Sequence, residues 1–93
     1  MTDEFKLLQA KERGAQAEVL LRHDLLKEAF DYLEKRYIDE WRITSARDAD
    51  AREKLFLAVN IVGKVREHLI AHVSNGRVAQ TELNRMTGLN RLS

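Results

Sequence analysis

Between Ala51 and Val73 apolar residues recur at helical spacing with little polar relief. Wound at about 100° per residue, Ala51, Leu55, Ala58, Val59, Val62, Val65, Leu69 and Val73 form one continuous stripe. Leu57 and Ile61 widen it on one flank, and Phe56 and Ile70 widen it on the other. The polar residues Asn60, Lys64 and Glu67 are confined to a narrow line. An apolar arc covering more than half of a helix exceeds what one neighbouring helix hides, which is about a third. The remainder must meet an N-terminal helix, a second subunit or another protein. Phe56, Leu57, Ile61 and Ile70 are therefore the candidate oligomer or partner interface.

The rest of the chain is also suited to helices. It has no proline and four glycines, Gly14, Gly63, Gly76 and Gly88, and no segment alternates with period two. The fold class is all-α. An N-terminal helix is expected from about Asp3 to Arg22, capped by Thr2. Its stripe of Phe5, Leu8, Ala15 and Val19 is interrupted by Glu12, and Gly14 costs it up to about 1 kcal/mol. A second helix is expected over 24–43, with Asp24 as its cap, although nothing between Arg22 and Leu25 forces a break and the first two helices could equally be one long bent rod. The second helix gathers Leu26, Ala29, Phe30, Leu33, Tyr37 and Trp41 on one side, with Trp41 sealing the hairpin tip.

Ser45 with Asp48 three residues later resembles a capping box with a shorter acid. The third helix is expected over 46–74, about 43 Å long, closed by Asn75-Gly76. The short loop makes 24–43 and 46–74 an antiparallel helical hairpin, joined by the N-terminal helix in an oligomeric bundle. Residues 1–76 read as a single helical domain. Residues 77–93 read as a polar C-terminal tail with room for a short helix near 78–86.

Ninety-three residues without cysteine allow one modest core and no disulfide or thiolate metal site. Sixteen basic residues against fifteen acidic ones leave a net charge of +1, so nothing electrostatic favours nucleic acid or a membrane surface. The longest apolar run, Leu55 to Val59, is far too short to span a bilayer. The acidic start Met1-Thr2-Asp3-Glu4 has no apolar leader, so export by a signal peptide is not expected.

Reactive constellations are also missing. His68 and His72 share one flank of a helix, but the zinc-protease pattern needs Glu after the first histidine, and Leu69 stands there. Ser45 and Ser74 sit where caps belong, and no glycine-rich phosphate loop is present. Neither an enzyme, a cofactor, a metal site nor a small-molecule substrate is expected. The stretch from Ala79 to Ser93 resembles the first helix and turn of a helix-turn-helix reader, with Leu83, Gly88 and Leu89 at core, turn and core. It stops where a recognition helix would begin.

Three runs carry a resemblance: His23-Asp24-Leu25-Leu26-Lys27-Glu28-Ala29-Phe30, the stretch from Trp41-Arg42-Ile43-Thr44 to Arg52-Glu53-Lys54-Leu55, and Gly63-Lys64-Val65-Arg66-Glu67-His68-Leu69. Together they resemble a group of short helical proteins encoded in tailed bacteriophage and prophage genomes, often among virion structural genes. Members of that group carry proline where Asp24 stands. The resemblance implies a phage-borne protein found in the cytoplasm of the bacterial host or in the virion. Together with the apolar excess it predicts a non-enzymatic interaction or assembly protein that partners itself or another phage protein. The alternatives are a small nucleic-acid-binding packaging or regulatory accessory using Arg77, Arg85 and Arg91, and an inhibitor of a host protein.

Overall fold

The computed structural model describes the backbone of residues 2–92 and the side chains of residues 3–88. Among the described residues the chain is all-α, with three helices: α1 (Thr2–Arg22), α2 (Asp24–Ile43) and α3 (Ala49–Leu92). The side chain of Thr2, expected as a cap, lies outside the described residues. The chain forms two compact units, Arg22–His68 and the combination of Met1–Leu21 with Leu69–Ser93.

The Arg22–His68 unit is α2 with the first half of α3. Between α1 and α2 a single residue, His23, takes an extended conformation (φ −70°, ψ 118°). Its carbonyl accepts the first bond of α2, from the Lys27 N–H at 3.0 Å. The cap is thus His23, without a side-chain hydrogen bond, and not Asp24. Asp24 is the first residue within α2, where its charge complements the helix dipole.

The loop to α3 is tied at both ends. At the close of α2 the Thr44 hydroxyl donates to the Glu40 carbonyl at 2.6 Å, and the Thr44 N–H donates to the Trp41 carbonyl at 3.3 Å. Ser45 Oγ accepts from the Arg47 N–H at 3.2 Å, which makes it a turn residue. The cap of α3 is Asp48, whose Oδ1 accepts from the Ala51 N–H at 3.1 Å. The helix therefore begins at Ala49, three residues later than the Ser45 capping box predicts. An aspartate is a strong N-cap in its own right, and Ser45 is used up closing the turn.

Contacts between the two helices run in antiparallel order. Trp41 meets Arg52 near the loop, and Phe30 and Asp31 meet Arg66 farther along. Phe30 is the buried large side chain here. The Arg66 guanidinium lies 5.0 Å from the centre of its ring while bonding Asp31 at 2.9 Å and approaching Glu34 at 3.4 Å. Arg66 thus caps the one well-buried aromatic with a charge that two carboxylates neutralise.

The second unit rests on small residues. A Cβ added to Gly14 would stand 2.8 Å from the Gly76 Cα and 2.8 Å from the His72 carbonyl oxygen. One added to Gly76 would stand 2.8 Å from the Gly14 Cα and 3.1 Å from the Ala10 oxygen. Ala17 and Ala79 are the most buried side chains among the described residues, at 4% and 2% exposure. Beside the crossing, Arg77 reaches Glu18 at 3.6 Å. Backbones this close admit no side chain between them.

This crossing corrects the expected end of the third helix. Asn75-Gly76 does not stop it, and neither a helix confined to 46–74 nor a separate tail helix near 78–86 is present. α3 continues to Leu92, 44 residues in all, about 66 Å at the standard rise. A glycine ends a helix by taking a left-handed conformation, and no glycine here has positive φ. Gly76 keeps helical geometry, and its missing side chain serves the approach of α1.

The same chemical change should therefore have opposite signs at two glycines. Gly63 has nothing within 4 Å of an added Cβ, so Gly63→Ala should gain about 0.5–1 kcal/mol of helix stability. Gly76→Ala should lose stability, because overpacking of about 1–3 kcal/mol outweighs the same gain. Thermal unfolding followed by circular dichroism checks this; a rise in Tm for both variants would refute the close crossing.

Candidate interaction surface

The four residues singled out from the pattern of α3 are all exposed: Phe56 63%, Leu57 51%, Ile61 60% and Ile70 47%. They do not form one patch. Successive residues on a helix are about 100° apart, so Phe56 and Leu57 leave α3 in different directions, and Ile61 follows Leu57 one turn on. Within the Arg22–His68 unit, Phe56 joins Ile38 and Trp41 of α2 and Leu55 and Val59 of its own helix around an apolar hollow of about 180 Å³. Leu57 and Ile61 do not line it. Ile70 belongs to the other unit.

Sequence periodicity missed Ile38, which lies off the stripe that α2 turns toward its neighbour. Nothing in its spacing reveals that it stands across from Phe56, because that depends on which flanks of the two helices adjoin. Trp41, expected to seal the tip, is 42% exposed. The Arg52 guanidinium lies 4.4 Å from the centre of its ring and donates to the Thr44 carbonyl at 3.3 Å. Arg52 therefore joins the loop to one ring of the hollow.

A polar depression shares Ile38 with the hollow and is lined also by Asp31, Glu34, Lys35, Asp39 and Arg42. Lys35 bonds Asp39 at 2.8 Å, and that hydrogen bond holds the Asp39 carboxyl below its ordinary range. Elsewhere on α2, Arg36 donates to the Tyr32 hydroxyl at 3.2 Å and to Glu40 at 3.0 Å. Those two bonds, Tyr32 first, raise its pKa. Exposed pairs of this kind fix side-chain positions more than they stabilise.

Nothing among the described residues gathers reactive groups. No set of three or more His, Asp and Glu side chains lies close enough to hold a metal ion. Among the described residues, no helix is long and apolar enough to cross a membrane. What the surface offers is apolar area bordered by charges of both signs.

The chain has a single tryptophan, so its contact with Arg52 can be read directly. A double-mutant cycle of Arg52→Met and Trp41→Leu should give a coupling of about 0.5–1 kcal/mol. Arg52→Met alone should make Trp41 fluorescence more easily quenched by acrylamide. Zero coupling with unchanged quenching would show that the guanidinium does not cover the ring.

Compared with known proteins, the chain matches no family model, no curated protein and no solved structure. Function must be argued from the surface itself.

Proposed function

We propose that this chain is a non-enzymatic helical assembly protein that acts by self-association. The proposed setting is the one its sequence resemblance suggests, a phage- or prophage-encoded virion-associated or accessory factor. The observation that carries the reading is the imbalance between buried and exposed apolar side chains. Among the described residues fifteen large hydrophobic side chains are exposed, while no large side chain is fully buried.

Net charge of +1 sets up little repulsion between copies.

Magnitudes indicate how much surface must take part. A fully buried Leu, Ile or Phe contributes about 1.5–3 kcal/mol, and a half-exposed one gains about half of that on association. Because Phe56, Leu57, Ile61 and Ile70 do not form one patch, one contact covers only some of them, and two such side chains counted on two protomers give about 3–6 kcal/mol. Association itself costs about 4–15 kcal/mol. A stable assembly therefore also needs neighbours such as Ile38, Trp41 and Val65.

Sedimentation equilibrium at micromolar concentration should give a mass above 10.8 kDa, with association favoured as concentration rises. A monomer whose mass is independent of concentration would reject self-association as the protein's mode of action.

A further inference from the structure

The faces that α1 and α2 bury are out of step along the chain. In α1 the buried side is small: Gly14 and Ala17 are buried and Ala10 is half-buried. In α2 the buried side is large, with Phe30 buried and Leu26, Leu33 and Tyr37 half-buried. Counted as one helix at about 100° per residue, Gly14 and Ala17 would lie about 140–160° away from Phe30. The larger apolar residues of α1 behave in the opposite way. On the same count Phe5, Leu8 and Val19 fall within about 40° of Phe30, in the arc of Leu26, Tyr37 and Trp41. Yet they are exposed, at 67%, 49% and 69%. α1 thus carries two faces. One makes the observed crossing, and the other, interrupted at Glu12, prolongs the apolar stripe of α2.

We infer that His23 is a conformational switch: turning one backbone torsion there joins α1 and α2 into a single helix, withdraws Gly14 from Gly76, and sets Phe5, Leu8 and Val19 in line with the face that α2 packs on α3. The later turns of α3 cover them in that state. α2 meets early α3 in antiparallel order, and α3 is unbroken to Leu92, so a prolonged α2 face continues along the same partner helix.

The break itself is built for such a change. The φ of His23, −70°, is already helical, and only ψ, at 118°, departs from the helical value of about −42°. Residues 20–26 include neither glycine nor proline, and no side-chain hydrogen bond caps α2, so nothing local obliges the chain to stop there. A single helix would also pair the Asp24, Leu25 and Leu26 N–H groups with the carbonyls of Leu20, Leu21 and Arg22, groups that helix ends leave unsatisfied. Against this, the observed arrangement keeps the approach of Gly14 to Gly76 and the Arg77–Glu18 contact at 3.6 Å. The switch therefore exchanges a main-chain crossing for helix continuity and burial of larger side chains. Both arrangements belong to a single chain, so it operates whether or not copies associate.

Amide hydrogen exchange of the full-length chain reads the switch. Gly14→Leu closes the seat on Gly76, whereas on a joined helix the same leucine lies far from the apolar stripe and is the better helix former. It should raise protection of the Leu25 and Leu26 amides at least about 10-fold, with the amides of α1 still protected. Asp24→Pro acts in the opposite sense, because proline suits the first helical position and holds the residue before it extended. Added to Gly14→Leu, it should abolish the gain. Protection around Phe30 confirms that the rest of each variant is folded.

Because the chain has no cysteine, Val19→Cys gives a second readout. Its alkylation by iodoacetamide should slow at least about 5-fold when Gly14→Leu is added, as the thiol passes from solvent to a covered face. If Gly14→Leu leaves either readout unmoved, or strips protection from the whole of α1, then α1 has only come loose and the switch is overturned.

Discussion

The approach of α1 to α3 at Gly14 and Gly76 is the constraint on which the rest of the structure depends. With added Cβ atoms only 2.8 Å from the facing backbone, the two helices meet through main chain, and the flanking burial falls to Ala17 and Ala79. Small side chains remove little apolar area from water, so this unit gains more from close dispersion contact than from hydrophobic transfer. The crossing also requires Gly76 to stay helical, which is why α3 runs unbroken to Leu92. One glycine thereby sets both the seat of α1 and the length of the longest element.

The unit of α2 and early α3 is held in another way. Its buried aromatic, Phe30, lies beneath the Arg66 guanidinium, and its tip pairs Trp41 with Arg52. Both arginines reach from α3 to aromatic residues of α2 and satisfy further acceptors, Asp31 and Glu34 in one case and the Thr44 carbonyl in the other. Cation–π contacts at partly exposed sites are worth about 0.5–1 kcal/mol each, which is enough to set register but too little to replace a core. Two helices cannot enclose a large side chain on all sides. The apolar residues on the outer flanks consequently stay in solvent until something covers them.

That limitation links stability to function. A chain of this length buries a modest fraction of its surface even when compact, and among the described residues the buried hydrophobic side chains are one aromatic ring, Phe30, and two alanines, Ala17 and Ala79. The side chains that would form a larger core face outward, as Phe56, Leu57, Ile61 and Ile70 do. In the proposed assembly part of this exposed surface becomes core, so folding and association draw on the same apolar side chains and their energetics cannot be separated cleanly.

Whereas the break at His23 came from the structure, the sequence by itself determined the helical class, the loop before Asp48 and the apolar excess of α3. Each of these depends on local chemistry: proline-free periodicity, acids at helix starts, and a short polar turn. The end of α3, the use of Gly14 and Gly76, and the partnership of Ile38 with Phe56 were decided by tertiary structure. A glycine followed along the chain looks like a weak point or a stop, because local energetics see only its missing side chain. Whether that missing side chain is used to end a helix or to admit another depends on what arrives from elsewhere in the fold. Likewise, periodicity fixes the direction in which a side chain leaves its own helix, but only packing sets which flank of a second helix it will meet.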